Sequence, residues 1–444
     1  MTTHGVPELE ALDAAAGGVR LPPGDTAPLT RRVRGLLDTA EVRRLARVSQ
    51  LGLVSLVYPG AVHSRLEHSL GVYRLAIEFL RRLRGDDRFA TAVGDDDASA
   101  FVAAALLHDV GHWAYCHPIE DMGLPELPRH ESLVLDVIGQ GAIGDVLRRE
   151  WRLDPARIAA LITGAATDDA GRILHSLLSG PIDVDKMDYL SRDSLHAGVP
   201  YGRNFDQARL LSSLCLDEAG RSLAITAKGR TAAELMVFAR YVMFSEVYWH
   251  HAVRAATGML QRAIWLIRPR IDPTILVRLD DGSFVDWITA TASGTPAATL
   301  VDGLFGPVRR LLKRVATFDA VGRPDVHAAL AGRTYAEAVG VSMRLAELLS
   351  RRLGRPVDPA TLLVDAPPAE REVEFRLEVK ESGGGTAAAR WRQLEDLSPV
   401  VRSLAHQQFD DLVKRVRIFA DPEVAAEITA VDGLEQLLLE AADD

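Results

Sequence analysis

The sequence predicts a mainly α-helical protein with a smaller C-terminal α/β lobe, on three observations. Ala, Leu, Val and Arg dominate, and aromatic residues are only 6% of the 444, a mix that favours helix over sheet. Between Ser64 and Arg82 the apolar residues Leu66, Leu70, Tyr73, Ile77 and Leu80 recur at three- and four-residue steps, the period of an amphipathic helix. In the last third Val373, Phe375, Leu377 and Val379 instead alternate with polar or charged residues, the period of a strand.

Residues 1–25 read as a flexible leader ending in the breaker cluster Leu21-Pro22-Pro23-Gly24. The leader lacks the basic-then-apolar layout of a signal peptide. Val33 to Leu53 is an Arg-rich helical pattern, closed by the turn Tyr58-Pro59-Gly60. An acidic loop is expected from Gly85 to Asp97. Ala98 to His108 is apolar nearly all round, as a buried central helix would be. Pro118, Pro125 and Pro128 break up the next stretch, and Asp154-Pro155 looks like a helix start. Residues 214–226 predict a hairpin around Glu218-Ala219-Gly220, and a long helix from Thr231 to Ile267 comes next. Val416-Arg417-Ile418-Phe419 predicts another strand, with a flexible Glu381-Ser382-Gly383-Gly384-Gly385 loop before it. The expected organisation is a leader (1–25), an all-helical core (26–270) and a C-terminal helical and α/β lobe (271–444).

A formal net charge of −10 argues against a nucleic-acid coat, which needs a basic face. A phosphate-bearing ligand would need its own local arginines, lysines or metal. Cys116 and Cys215 are the two cysteines, and neither lies in a CxxC pair. A disulfide framework or a thiolate zinc site is therefore not expected, and a reduced, cytoplasmic setting is. No apolar run is long enough to span a bilayer, so no membrane partner is expected.

Three segments carry chemistry: His63-Ser64-Arg65-Leu66-Glu67-His68-Ser69; His108-Asp109-Val110-Gly111-His112, with His117 beyond; and Asp183-Val184-Asp185-Lys186-Met187-Asp188-Tyr189. His108-Asp109 ends an otherwise apolar helix, where an ionisable pair is costly unless paired or metal-bound. Imidazole with carboxylate suits a divalent ion such as Mn, Fe, Mg or Zn. Neighbouring helix positions point about 100° apart, so further ligands must come from other helices. His68 and Asp185 are the natural candidates.

Taken together and in this order, these segments resemble the HD superfamily of phosphohydrolases, and within it the deoxynucleoside triphosphate triphosphohydrolases. The matching string also includes Leu37-Asp38-Thr39, Gln50-Leu51, His130-Glu131, Arg192-Asp193 and Tyr248-Trp249-His250. The resemblance covers roughly residues 37–260, and DVDKxDYxxRD is far more specific than the HD pair. It implies an HD-domain helical core and a metal held by His68, His108, Asp109 and Asp185. Arg65, Lys186 and Arg240 would hold the phosphates. His112, His117 and His130 would form a second histidine set, with His117 as general acid and Glu120 raising its pKa and orienting it. Gln50, Leu51, Tyr189, Asp193 and Tyr248 would face the sugar and base; Leu51 reads equally as core packing. The implied substrate is a dNTP, cleaved to nucleoside and tripolyphosphate by a homodimer or tetramer. Two alternatives are another phosphorylated substrate of the same chemistry and a catalytically silent nucleotide- or nucleic-acid-binding regulator. Relatives triggered by guanine nucleotides carry Asp-x-x-x-x-Gln-x-x-Arg. Here Asp38 is kept, but Arg43 and Ala46 stand at the other two places, which puts that trigger in doubt.

Overall fold

The computed structural model describes residues 5–14, 17–367, 376–381 and 389–443, without the side chains of 13 and 406–410. Val373, Phe375 and the Ser382–Gly385 part of the expected loop lie outside the described residues.

Helices dominate, as expected. Ser64 starts the helix Arg65–Leu83 by accepting the Glu67 amide at 3.2 Å. This helix packs on Asp95–Leu107 and on Val184–His196. Asp95, Asp96 and Asp97 open the second of these, where negative charge suits the helix dipole. Every residue from Ala98 to Leu107 is buried. Asp183 caps the third, accepting the Lys186 amide at 2.6 Å and the Lys186 ammonium at 2.7 Å. Asp154 caps Pro155–Thr163, as the Asp-Pro pair predicts.

The described residues hold nine short strands: β1 (Gly18–Leu21), β2 (Asp25–Pro28), β3 (Leu214–Leu216), β4 (Leu223–Thr226), β5 (Lys313–Phe318), β6 (Leu363–Asp365), β7 (Glu378–Glu381), β8 (Arg390–Gln393) and β9 (Val416–Ala420). β1 and β2 form a hairpin. β3-β4-β7-β8 form a four-stranded sheet in which β4 and β7 run parallel. β5-β9-β6 form an antiparallel sheet in the lobe. The expected hairpin at 214–226 and strand at 416–419 are present.

Several expectations are corrected. Much of the supposed leader is ordered: Pro7–Asp13 is helix and β1 comes after it. Glu8 is fully buried and takes hydrogen bonds from Thr30 Oγ1 (2.7 Å) and Arg32 Nε (2.9 Å). The core is not all helix, because β7 crosses over to pair with β4. Leu377 and Val379 join the apolar cluster that also holds Tyr73, Phe79 and Phe101. The pattern from 33 to 53 divides into Arg31–Leu37, Ala40–Leu45 and a 3-10 turn at Gly52–Leu56, because Thr39 is extended and its hydroxyl bonds back to Leu36 O at 2.7 Å. The acidic loop contains a helical segment, Asp87–Ala92. The long helix is broken: Arg230–Met243 widens into a π-turn over Phe244–Tyr248, and His251–Ile267 starts afresh. Such a bulge re-aims side chains, and here Tyr248 is directed to Asp193.

A second apolar cluster joins Trp113 and Ile119 to the His251–Ile267 helix. A third, with Val326, Leu345, Ile418 and Leu438, belongs to the lobe. Among the described residues no helix is long and apolar enough to cross a membrane.

Candidate active site

The buried helix Asp95–Leu107 delivers His108 at its C-terminal cap and Asp109 in the turn beyond. That end carries the negative pole of the helix dipole, which favours a cation. His68 comes from the helix Arg65–Leu83 and Asp185 from the first turn of Val184–His196. His68 Nε2 lies 3.0 Å from Asp185 Oδ1 and 3.2 Å from His108 Nε2. His108 Nε2 is 3.8 Å from the same Asp185 oxygen and 3.4 Å from Asp109 Oδ1.

The tautomers test whether a cation fits. His68 Nδ1 faces the Asp188 carboxylate at 2.9 Å, and His108 Nδ1 faces Ala105 O at 2.9 Å. Both partners only accept, so both rings carry their hydrogen at Nδ1 and turn bare Nε2 lone pairs toward each other and toward Asp185. Opposed lone pairs and a carboxylate need positive charge between them, and a divalent ion provides it. Without an ion a proton takes that part. Burial would lower the His68 pKa, but hydrogen bonds with Asp185 and Asp188 push it up to about 10. For Asp109, burial would raise the pKa, yet His112, Arg65 and His108 hold it well below the usual range. Arg65 Nη1 donates to Asp109 Oδ2 at 2.9 Å.

Asp188 is fixed in turn by Arg192, which donates to both its oxygens at 2.8 Å. Arg192 and His196 also reach Glu67 Oε1, at 2.8 and 2.9 Å. A Cβ on Gly71 would collide with Asp188 and Arg192, so a glycine lets the two helices close. Asp188 and Arg192 sit in the matched motifs, but the sequence alone assigns them no role. Their i, i+4 spacing is the available signal. Glu67 lies in the first motif segment without a role assigned to it, and nothing local in the sequence marks His196.

The second histidine set lies on the other side of Asp109. His112 Nδ1 is 3.2 Å from Asp109 Oδ1, and His112 Nε2 is 3.2 Å from His117 Nε2. The His112 and His130 rings lie 3.8 Å apart between centroids. The expected role of Glu120 is corrected: its carboxylate clamps His130, by the backbone amide at 2.6 Å and Nδ1 at 2.9 Å, and stays 4.0 Å from His117 Nδ1. Glu120 does push the His117 pKa up, as expected, but desolvation in the cluster, then Arg65 and His130, outweigh it and hold the pKa below the usual range. The His112 pKa is held well below for the same leading reason, with Arg65 next.

Asp185, Tyr189 and Asp193 stand at four-residue steps along one helix face. Asp193 accepts from Tyr248 Oη at 2.6 Å and lies 2.9 Å from His63 Nε2. Burial and then Asp193 raise the Tyr248 pKa well above its usual value. The Gln50 backbone amide donates to His63 O at 3.0 Å, and the buried Gln50 Oε1 has no hydrogen-bond partner among the described residues. Leu51 is half-buried beside it. Lys186 stays tied to Asp183, which outweighs burial and raises its pKa. Arg240 lies over the Phe244 ring, 5.5 Å from its centroid, and close enough to Tyr189 and Tyr248 to lower their pKa values against the larger effect of burial.

This fold and this paired-histidine site define an HD-domain protein. The HD domain family profile matches residues 65–163, and the profile of the HD associated region matches residues 205–440, more than half of the chain. The chain belongs to the HD-domain family that carries this associated region. It is 37% identical over 232 residues to an uncharacterized protein of Bacillus subtilis, covering 52% of this chain and 50% of that one. It is 28% identical over 245 residues to the deoxynucleoside triphosphate triphosphohydrolase SAMHD1 of Gallus gallus, covering 48% of this chain and 39% of that one. The chain spans about half the length of the curated relatives it matches. In fold it is similar to a phosphohydrolase from Bacteroides thetaiotaomicron, with a TM-score of 0.67 at 22% identity, covering 91% of this chain and 99% of that one.

Proposed function

We propose that the chain hydrolyses deoxynucleoside triphosphates to a deoxynucleoside and tripolyphosphate. The observation that carries this reading is that three sets of groups lie next to one another. Opposed bare nitrogens of His68 and His108 meet Asp185, the His112–His117–His130 cluster flanks Asp109, and Tyr189, Asp193 and Tyr248 continue along Val184–His196. Similarity to SAMHD1 supports the substrate class.

A divalent ion held by His68, His108, Asp109 and Asp185 would polarise a phosphate and lower the pKa of a water. The rest falls to side chains. Arg65, Lys186 and Arg240 neutralise the triphosphate, the arginine suited to paired oxygens and the lysine to a point charge. His117 gives a proton to the 5′ oxygen as water oxygen bonds to the α-phosphorus and the P–O5′ bond breaks, and the proton shed by the water passes to solvent. The negative charge of a bound phosphate favours the protonated imidazole that this step needs. His112 and His130 hold His117 and the phosphate in register. Gln50 Oε1 accepts the 3′-hydroxyl, Asp193, Tyr189 and Tyr248 border the sugar, and Leu51 fills the place of a 2′-hydroxyl. Assembly as a homodimer or tetramer is part of the reading.

The test is product identification. The metal-loaded chain, given each dNTP and each rNTP, should release deoxynucleoside and tripolyphosphate in equal amounts and spare ribonucleotides. Orthophosphate or pyrophosphate as the sole inorganic product would overturn the assignment and favour another phosphorylated substrate. Inertness toward every phosphate ester would favour a silent regulator.

A further inference from the structure

In the sequence no second cysteine stands near Cys116, but the fold supplies it with histidines. The left-handed Tyr115 (φ 55°) precedes the short helix Cys116–Glu120, and Cys116 is buried beneath the histidine cluster. One donor atom each from His112, Cys116, His117 and His130 lies within 4.8 Å of the others. Tetrahedral zinc with imidazole and thiolate ligands needs donors about 3.3–3.7 Å apart, and His112 Nε2 and His117 Nε2 are already at 3.2 Å.

The surrounding groups orient these donors as ligands are oriented. Glu120 occupies Nδ1 of His130 at 2.9 Å, and Asp109 stands 3.2 Å from Nδ1 of His112. Glu120 holds the hydrogen on Nδ1 of His130 and leaves its Nε2 bare, while Asp109 stands at ion-pair distance from the His112 ring without a hydrogen bond to it. A carboxylate behind the imidazole is the usual support of a metal-bound histidine. Asp109 also offsets the positive charge of Arg65. No other cysteine could mimic the arrangement, since Cys215 lies on β3.

We propose that His112, Cys116, His117 and His130 form a second, thiolate-containing site for zinc or another soft divalent ion, and that filling it withholds the three histidines from proton transfer. A sulfur donor separates this site from the N/O centre of His68, His108, Asp109 and Asp185, and selects softer ions. On binding, the Cys116 thiol gives its proton to solvent and no redox change occurs. The inhibitory half rests on the proposed triphosphohydrolase reading. The binding half does not.

Cobalt(II) titration of the metal-free chain tests the binding half directly, because only a thiolate ligand produces a sulfur-to-cobalt charge-transfer band. The expected result is that band in the native chain and in Cys215→Ser, with its loss in Cys116→Ser and a drop of about ten-fold or more in affinity for the second equivalent. Absence of the band, or its persistence in Cys116→Ser, overturns the site. Should Cys116→Ser fail to fold, His130→Gln serves: the band should weaken and shift, and an unchanged spectrum overturns the site. Zinc should then inhibit the native chain at concentrations at least about ten-fold below those needed for Cys116→Ser, with both equally active before zinc is added; equal sensitivity overturns the inhibitory half. If no nucleotide is hydrolysed, the functional reading fails while the cobalt spectrum still decides the site.

Discussion

The helical core and the C-terminal lobe use burial for opposite ends. In the core, buried charge is concentrated: Arg65, His68, Asp109, His112, Asp188, Arg192 and Asp193 are all nearly inaccessible and hold one another. The lobe's own cluster is aliphatic, with Val326, Leu345, Ile418 and Leu438 fully covered around β5-β9-β6. A buried ionic network is a poor source of stability, because desolvation offsets most of its attraction. An aliphatic cluster gains roughly in proportion to its buried area. Buried charge is sparser in the lobe, where Asp365, Lys414 and Arg417 are buried, whereas the core sets its ionic network inside a larger apolar cluster that supplies the stability the network does not.

Five substitutions sharpen or break that contrast. Asp109→Ala should have the largest effect, abolishing metal retention and hydrolysis while leaving the helical circular dichroism intact; elemental analysis beside a product assay checks it. His117→Ala should keep its metal and lose about 10²–10⁴-fold in kcat, read under saturating substrate. In the lobe, Leu438→Ala should cost about 2–5 kcal/mol of stability in urea unfolding and leave kcat at 25 °C unchanged; a fall in kcat would show the lobe coupled to the chemistry. Asp188→Asn should weaken metal affinity about 10–100-fold, measured by competition with a chelator. The smallest effect is expected at Asp280, which caps Asp281–Ala292 and whose pKa is held at about 2 first by the Ser283 hydroxyl and also by Arg47. Asp280→Ala should lose about 1 kcal/mol near neutrality. Because the folded-state pKa is depressed, the deficit should be full above the unfolded value of 3.8 and shrink as pH falls toward about 2.

The legibility of the two regions differs for physical reasons. His68, His108, Asp109 and Asp185 are readable because local strings mark them, and the structure brings them together. Their surroundings are not. The tautomers of His68 and His108 depend on Asp188 and on the Ala105 carbonyl, which no spacing rule exposes. Helix periodicity places Glu120 on His117, but it turns to His130 because the chain returns there after the prolines. Counting cysteines misses Cys116, because its neighbours are donors of another kind. In the lobe, period-two alternation marks the stretch that holds β7 and the Val416–Phe419 run marks β9, yet the partner of β7 cannot be read, because a strand pattern does not say which sheet it joins. The ordered N-terminal segment escapes notice because its anchors are scattered single residues: Glu8, held by Thr30 and Arg32, and the buried Val6, Leu9 and Leu21.

The parallel pairing of Ile225 with Val379 has a consequence for synthesis. Nearly everything around the reactive groups has been translated by the time β4 emerges, but its neighbour is still to be made. A nascent chain would carry β4 with an open edge until the later strand clears the ribosome, which makes it a client for chaperones and an opportunity for mispairing. Products stalled or terminated between Tyr248 and β7 should therefore aggregate although every motif is already in them.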